Sequence, residues 1–268
     1  MTRAKGQAAV MAQCGPKVIE GDDPVTARNR KLEFFPTWPW ATRAGAELVK
    51  FLDPRAREVL DPCCGEGHMA MVLTEYFASV RASDVYDYGY GSSRDYLDPN
   101  RRGVNACDWV IMNPPFEPAA EFIRRALLEA RRGVAVFARL AFLESEARYS
   151  LLWRGEHPLS HVACFVERVP LVLGRLDPVA RSATAYAWFF FDKEWPQLRA
   201  PELMAIPPGT KRRLTKPDDA RRFVRSGPAP LFHEIDRVAR ESAVDRQRDQ
   251  DTRENDSSRV SASSVVRA

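Results

Sequence analysis

Two short stretches of the chain hold residue types whose spacing can do chemistry. The first, Val59 to Leu73 (VLDPCCGEGHMAMVL), sets Asp61 at the end of a strand-like run, Gly65 and Gly67 in a turn, and a helix-like run behind them. Glycines permit a tight turn and close backbone approach to a ligand, and a helix N-terminus offers unpaired N–H groups. Asp84 ends the next strand-like run, 19 residues after Gly65, where a carboxylate takes the two hydroxyls of a ribose. Together they point to a nucleoside cofactor; a strand–glycine–helix turn without a ligand is the alternative. The second stretch, Cys107 to Pro118 (CDWVIMNPPFEP), runs a strand straight into Asn113-Pro114-Pro115-Phe116. Two prolines fix φ and lack an N–H, so carbonyls in this loop can be held outward. The Asn113 side-chain carbonyl and the Pro114 backbone carbonyl suit the two hydrogens of an exocyclic amine, and Phe116 offers a face on which its ring stacks. Read alone, the segment is equally a rigid Pro-Pro turn capped by an aromatic.

The identity of the cofactor follows from charge. A dinucleotide asks for G-x-G-x-x-G, but the third position here is Ala70. Asp61 would repel a pyrophosphate, whereas it suits a cationic cofactor carrying an ammonium, which S-adenosylmethionine is. Glu66 and His68 stand where they could meet the amino-acid end of such a molecule, and Cys63 and Cys64 lie in the same loop as small residues.

These loops need strands to carry them. Runs ending at Asp61, Asp84 and Asn113, and another from Gly133 to Leu140, read as strands. Ala41 to Leu52, His68 to Ala78 and Pro118 to Arg131 read as helices, the last with Phe122, Ile123, Ala126, Leu127 and Ala130 on one face. The alternation predicts an α/β, Rossmann-like, doubly wound and mainly parallel sheet with ligands at the carboxyl ends of its strands. HVACFVERV and ATAYAWFFF are predicted to form an antiparallel edge hairpin, with Trp188 to Phe191 as a buried strand. Residues 1–30 read as a loose arm, 31–198 as the catalytic domain, 199–239 as a basic extension, and 240–268 as a disordered tail with six Arg balanced by six acidic residues.

The 268 residues carry a net charge of +4, which excludes a histone-like polycation, and no apolar run is long enough for a membrane helix. Five cysteines without a C-x-x-C pair fit a reducing compartment. Gln13 interrupts the short apolar N-terminal stretch, so a signal peptide is not expected and a cytoplasmic location is. His157, His161 and Cys164 do not make a convincing metal set, because Pro158 spoils a helical pair and no second cluster exists. Gly209 to Arg225 is different. It holds Lys211, Arg212, Arg213, Lys216, Arg221, Arg222 and Arg225 against Asp218 and Asp219, which is either a solvated face or a phosphate-binding patch.

D-x-x-x-G-x-G followed by N-P-P-F resembles the S-adenosylmethionine-dependent DNA N6-adenine methyltransferases, above all the compact phage and prophage type. EFFPTWPWAT (Glu33 to Thr42) is similar to the family's P-T-P-P-W-A-T stretch, with Trp38 in place of a proline. RDYLDP (Arg94 to Pro99) is similar to its third motif, and ARLAFLES, ERVPLVLGRLDP and SATAYAWFFF also resemble the family, so the likeness spans about residues 33 to 193. The resemblance implies S-adenosylmethionine as cofactor, held by Thr37, Asp61, Cys63, Gly65, Gly67, Asp84, Val85, Asp95, Tyr96 and Asn113, with Thr37 at the cofactor carboxylate and Asp95 and Tyr96 beside its adenine. It implies Asn113, Pro114, Pro115 and Phe116 as the catalytic loop, a flipped adenine of DNA as substrate, and no metal. The RNA base methyltransferases (adenine N6 or guanine N2), a protein glutamine methyltransferase, and a non-catalytic nucleic-acid-binding protein are the alternatives. Lys211, Arg212, Arg213, Lys216, Arg221 and Arg222 would meet nucleic-acid phosphates. No membrane contact and no protein partner are implied.

Overall fold

The computed structural model describes residues 22–100 and 106–224, all within one compact unit. The expected disordered tail from Arg240 lies outside the described residues. Among the described residues no helix is long and apolar enough to cross a membrane.

Eight strands form one sheet: β1 (Glu58–Asp61), β2 (Ser79–Asp84), β3 (Ser92–Ser93), β4 (Cys107–Met112), β5 (Ala130–Arg139), β6 (His161–Phe165), β7 (Tyr186–Asp192) and β8 (Glu202–Ile206). Their order is β3-β2-β1-β4-β5-β7-β6-β8. The neighbours from β3 to β5 are parallel, β7 is antiparallel to both β5 and β6, and β8 is parallel to β6. The order reverses between β1 and β4, and a crevice outside their carboxyl ends follows from that reversal. The protein therefore has the mainly parallel, doubly wound, Rossmann-like sheet that the alternation of apolar runs predicts. The hairpin of β6 and β7 is present, but it is not the edge: β8 covers it.

The central strands are apolar on both faces because both are covered. Side chains alternate with period two. Val110, Met112, Val134, Val136, Phe189 and Phe191 face one core layer with Phe122 and Ile123. Trp109, Ile111, Ala135, Phe137, Trp188 and Phe190 face the other, with Trp40 and Val49. The first layer is closed by α4 (Ala119–Glu129), the second by α2 (Pro39–Leu52) and α3 (His68–Leu73). Helix α2 approaches β7 closely: the Trp188 indole N–H donates to Ala41 O at 3.0 Å, and a Cβ on Gly45 would overlap the Trp188 ring.

Two of the expected boundaries change. Residues 24–31 are not a loose arm but a helix, α1 (Pro24–Lys31), whose first N–H groups are capped by the Asp23 carboxylate. Residues 199–224 are not an appendage. They supply β8 and two short helices, α5 (Thr210–Leu214) and α6 (Asp219–Phe223). Arg43 of α2, 1% exposed, fastens them. It donates to Asp219 through two bonds of 2.7 Å, to Leu214 O at 2.7 Å, and to Glu75 at 2.8 and 2.9 Å.

Removing Arg43 leaves the buried Asp219 carboxylate without its charge partner, while Glu75 keeps Lys216 at 2.9 Å, so Arg43→Ala should cost about 3 kcal/mol, the lower end for breaking a buried pair. A urea titration reads this as a lower midpoint at unchanged slope. The Arg43 hydrogen bonds hold the Glu75 carboxyl down to about 2, against an ordinary value of 4.5. The Glu75 share is thus present above the ordinary carboxylate range and is lost as pH falls toward 2. An Arg43→Ala variant as stable as the parent would remove this anchoring role.

Candidate active site

The carboxyl ends of β1, β2 and β4 open onto one cleft of about 530 Å³, counted to its open mouth, with Asp61, Cys63, Asp84, Val85, Asn113 and Pro115 in its wall. The turn after β1 needs its glycines. Gly65 and Gly67 have φ of 52° and 85°, in the left-handed region that side chains disfavour. A Cβ on Gly65 would also overlap the Phe34 ring.

Asp84 staples this turn: it accepts from Gly65 N at 2.9 Å on one oxygen and from Tyr86 N at 3.1 Å on the other. Each oxygen keeps a lone pair for a further donor. Asp61 is only half used. One oxygen accepts from Cys63 N at 3.3 Å, while Oδ2 is buried without a hydrogen-bond partner. Burial, with the nearby Asp84 charge adding to it, pushes the Asp61 carboxyl up to about 8. Burial also raises the Cys63 thiol well above its ordinary range, so Cys63 is not a thiolate nucleophile; its Sγ donates to Asn113 O at 3.4 Å and ties the two loops together.

Residues 32–37 cross the cleft as a strap. Glu33 turns it at φ 52°, Phe34 packs on Tyr88 at 4.7 Å between ring centroids, and Trp38 Nε1 donates to Pro170 O at 2.7 Å. Trp38 therefore anchors the end of the strap. The strap fixes the Asn113 side chain in one orientation. Asn113 Nδ2 donates to Phe35 O at 2.8 Å and to Thr37 Oγ1 at 2.9 Å. Both amide hydrogens are used, so the side-chain oxygen is the end left to accept. Thr37, buried at 2% exposure, accepts from Asn113 and keeps its own hydroxyl proton to donate.

Other residues singled out by the sequence sit differently. Tyr96 is fully buried against Phe122 at 5.2 Å in a core layer, and Asp95 closes an Asx turn on Leu97 N at 2.9 Å. Neither lies in the cleft wall, so the expectation that Tyr96 lies beside a cofactor adenine is replaced by a packing role. In the basic segment, Arg213 is held by Glu47 (2.7 and 2.9 Å), Lys216 by Glu75 (2.9 Å), and Arg222 lies 3.6 Å from Asp218. Lys211, Arg212 and Arg221 are exposed. Phe34, Phe35 and Tyr88 are site residues that spacing did not single out by role. Their signal was the aromatic pair inside EFFPT and the tyrosines after Asp84.

Fold and site together define a Rossmann-like α/β protein with a ligand crevice at its switch point. No protein-family model matches the sequence, and no curated protein matches it. Several solved structures are similar in shape. One is a candidate RNA methyltransferase from Pyrococcus horikoshii, with 19% identity and a TM-score of 0.47 over 72% of this chain and 98% of its own. Another is a modification subunit of a candidate type I restriction enzyme from Vibrio vulnificus, with 16% identity and a TM-score of 0.43 over 70% of this chain. The chain spans about half the length of that subunit, 51%. A third is magnesium protoporphyrin IX methyltransferase from Synechocystis with bound S-adenosylmethionine, with 16% identity and a TM-score of 0.39 over 66% of this chain and 87% of its own. At these scores and identities neither substrate nor chemistry follows from the likeness.

Proposed function

We propose that the protein transfers a methyl group from S-adenosylmethionine to the N6 amine of adenine in DNA. The observation that carries this reading is the fixed Asn113 amide. Its two hydrogens go to Phe35 O and Thr37 Oγ1, which reserves Oδ1 as an acceptor for a substrate N–H.

The polar groups of the cleft wall suit the cofactor. Asp61 Oδ2 is a buried acceptor lacking a donor, and an ammonium supplies both the donor and the charge that a buried carboxylate lacks. Asp84 would take ribose hydroxyls, and the Thr37 hydroxyl would donate to the cofactor carboxylate. Bound there, S-adenosylmethionine supplies an electrophilic methyl on a sulfonium.

Asn113 Oδ1 and the Pro114 carbonyl accept the two hydrogens of the target amine, drawing its lone pair out of conjugation with the ring and aiming it into the cleft. Phe116 stacks the extruded base and recovers part of the unstacking cost of a few kcal/mol. Pro115 holds the loop rigid. Once the nitrogen bears a fourth bond it is acidic and gives its proton to water, so no strong base or metal enters.

Three of the six basic residues first expected to meet phosphates remain the best placed, since Arg213, Lys216 and Arg222 have internal partners. Replacing Lys211, Arg212 and Arg221 together by Gln should weaken DNA binding and flatten its salt dependence by up to about three phosphate contacts. An unchanged slope would remove the segment from the interface. The reading as a whole is tested by giving the protein labelled S-adenosylmethionine with DNA, RNA and protein acceptors and separating them. Label in DNA is expected; label confined to RNA or protein overturns the substrate assignment.

A further inference from the structure

Resting on that reading, we propose that Arg139 grips the DNA backbone phosphate adjoining the target nucleotide while its guanidinium plane holds the Phe116 ring. Three neighbouring parallel strands end on the same side of the sheet. Asp61 ends β1, Asn113 follows β4, and Arg139 ends β5, its neighbour in the sheet. The Arg139 guanidinium carbon lies 4.0 Å above the centroid of Phe116. Phe35 packs on the same ring at 5.4 Å, and Glu33 on the strap accepts from Glu117 N at 3.1 Å.

Arg139 is exposed. Among the described residues it has no carboxylate within ion-pair distance, whereas Arg43, Arg132 and Arg213 each do. The neighbouring groups fit a cation left open for a ligand. Tyr186, its register partner on β7, offers a hydroxyl to it, and Glu33 is near enough to feel its charge without pairing.

A guanidinium has five N–H donors, so one that lies over a ring and meets a tyrosine hydroxyl still has donors for a further partner. Its donors form a fork that matches a phosphate. A base extruded against the Phe116 face that Arg139 does not cover brings its own backbone with it, and the adjoining phosphate then passes within reach of Arg139. The arrangement also explains why the ring beside Asn113 need not be buried to be held: Phe116 is only half-buried, and Arg139 and Phe35 brace it.

The test compares the parent chain, Arg139→Ala and Arg139→Lys with labelled S-adenosylmethionine and unmodified plasmid DNA over a salt series. For Arg139→Ala the KM for DNA should rise about tenfold, with kcat moving less, and KM for the cofactor should stay put. The log–log salt slope of DNA binding, read by anisotropy on a labelled duplex, should become shallower by about 0.9, the value of one phosphate. Arg139→Lys should restore the slope, because the charge returns. An Arg139→Ala variant that loses kcat at unchanged slope and unchanged KM for DNA would overturn the phosphate contact and leave only a brace for Phe116. If the parent chain labels no DNA while Arg139→Ala still loses a phosphate from the slope, the methyl-transfer reading falls and this contact stands.

Discussion

The largest expected loss is at Asn113: Asn113→Ala should lower methyl transfer about 10³-fold, the upper end of what one positioned contact is worth, with affinity for S-adenosylmethionine falling far less. The reasoning is geometric. Alanine removes the acceptor that orients the amine, and positioned polar contacts to a reacting group are worth about 10²–10³ in rate. It also removes the two hydrogen bonds by which Asn113 holds Phe35 O and Thr37 Oγ1, so the strap loses its tie to the catalytic loop as well. Asp61, the carboxylate proposed for the cofactor ammonium, lies on a different strand end and stays. Single-turnover rates for transfer and equilibrium dialysis for the cofactor separate the two quantities. Full activity in Asn113→Ala would sink the catalytic assignment; loss of cofactor binding equal to the loss of rate would move Asn113 into the binding set alone.

The second large effect has opposite signs for binding and stability. Asp61→Asn keeps the shape but cannot carry charge, and it should weaken S-adenosylmethionine binding by about 10–100-fold, the worth of a charge-assisted hydrogen bond. The same change should stabilise the ligand-free protein in neutral and alkaline solution. The Asp61 carboxyl is pushed up to about 8 by burial, above its value in an unfolded chain. Its share of stability is therefore present in full below the ordinary carboxylate range and is lost as pH rises through about 8. Asp84, also raised by burial, acts in the same direction. Melting curves of the two proteins should thus diverge from pH 5 to pH 9, with Asp61→Asn the higher at the alkaline end. Adding cofactor should raise the melting temperature of the parent and scarcely that of the variant. Curves that stay parallel across this range would show that Asp61 is not a strained, ligand-seeking carboxylate.

What the sequence could show depended on how local the cause was. Strand ends at Asp61, Asp84 and beside Asn113 were legible because a short apolar run meets an acidic residue or a proline, and that change of pattern is a neighbour-to-neighbour property. The Trp188 to Phe191 run was legible as a buried strand for the same reason. Helix α1 was not, since its residues are polar and its support is tertiary: Arg28 stacks on Tyr86 and Tyr88 across the cleft. Strand β8 was hidden because most of its side chains are exposed, so it joins the sheet through backbone pairing with β6 and leaves little apolar trace.

The basic segment was misjudged for a similar reason. Its charges looked unbalanced along the chain, yet the partners of Arg213 and Lys216 are Glu47 and Glu75, far away in sequence. Tyr96 shows the converse. A motif-based role put it at the cofactor, but the aromatic side chain at the centre of the Asp95–Leu97 Asx turn fills a core layer. Arg139 had a readable signal, a cation at the end of a predicted parallel strand, and became meaningful only once its stack on Phe116 and its lack of an acidic partner were visible.

The central claim is that this cleft methylates the exocyclic amine of adenine in DNA. It is tested most directly by incubating the protein with S-adenosylmethionine carrying a heavy-isotope methyl and unmodified DNA, digesting to nucleosides, and identifying the modified one by mass. The account predicts the heavy methyl on the N6 nitrogen of deoxyadenosine, and none when Asn113 is alanine. A heavy methyl on a ring carbon of cytosine, or none on any deoxynucleoside at cofactor saturation, would contradict it.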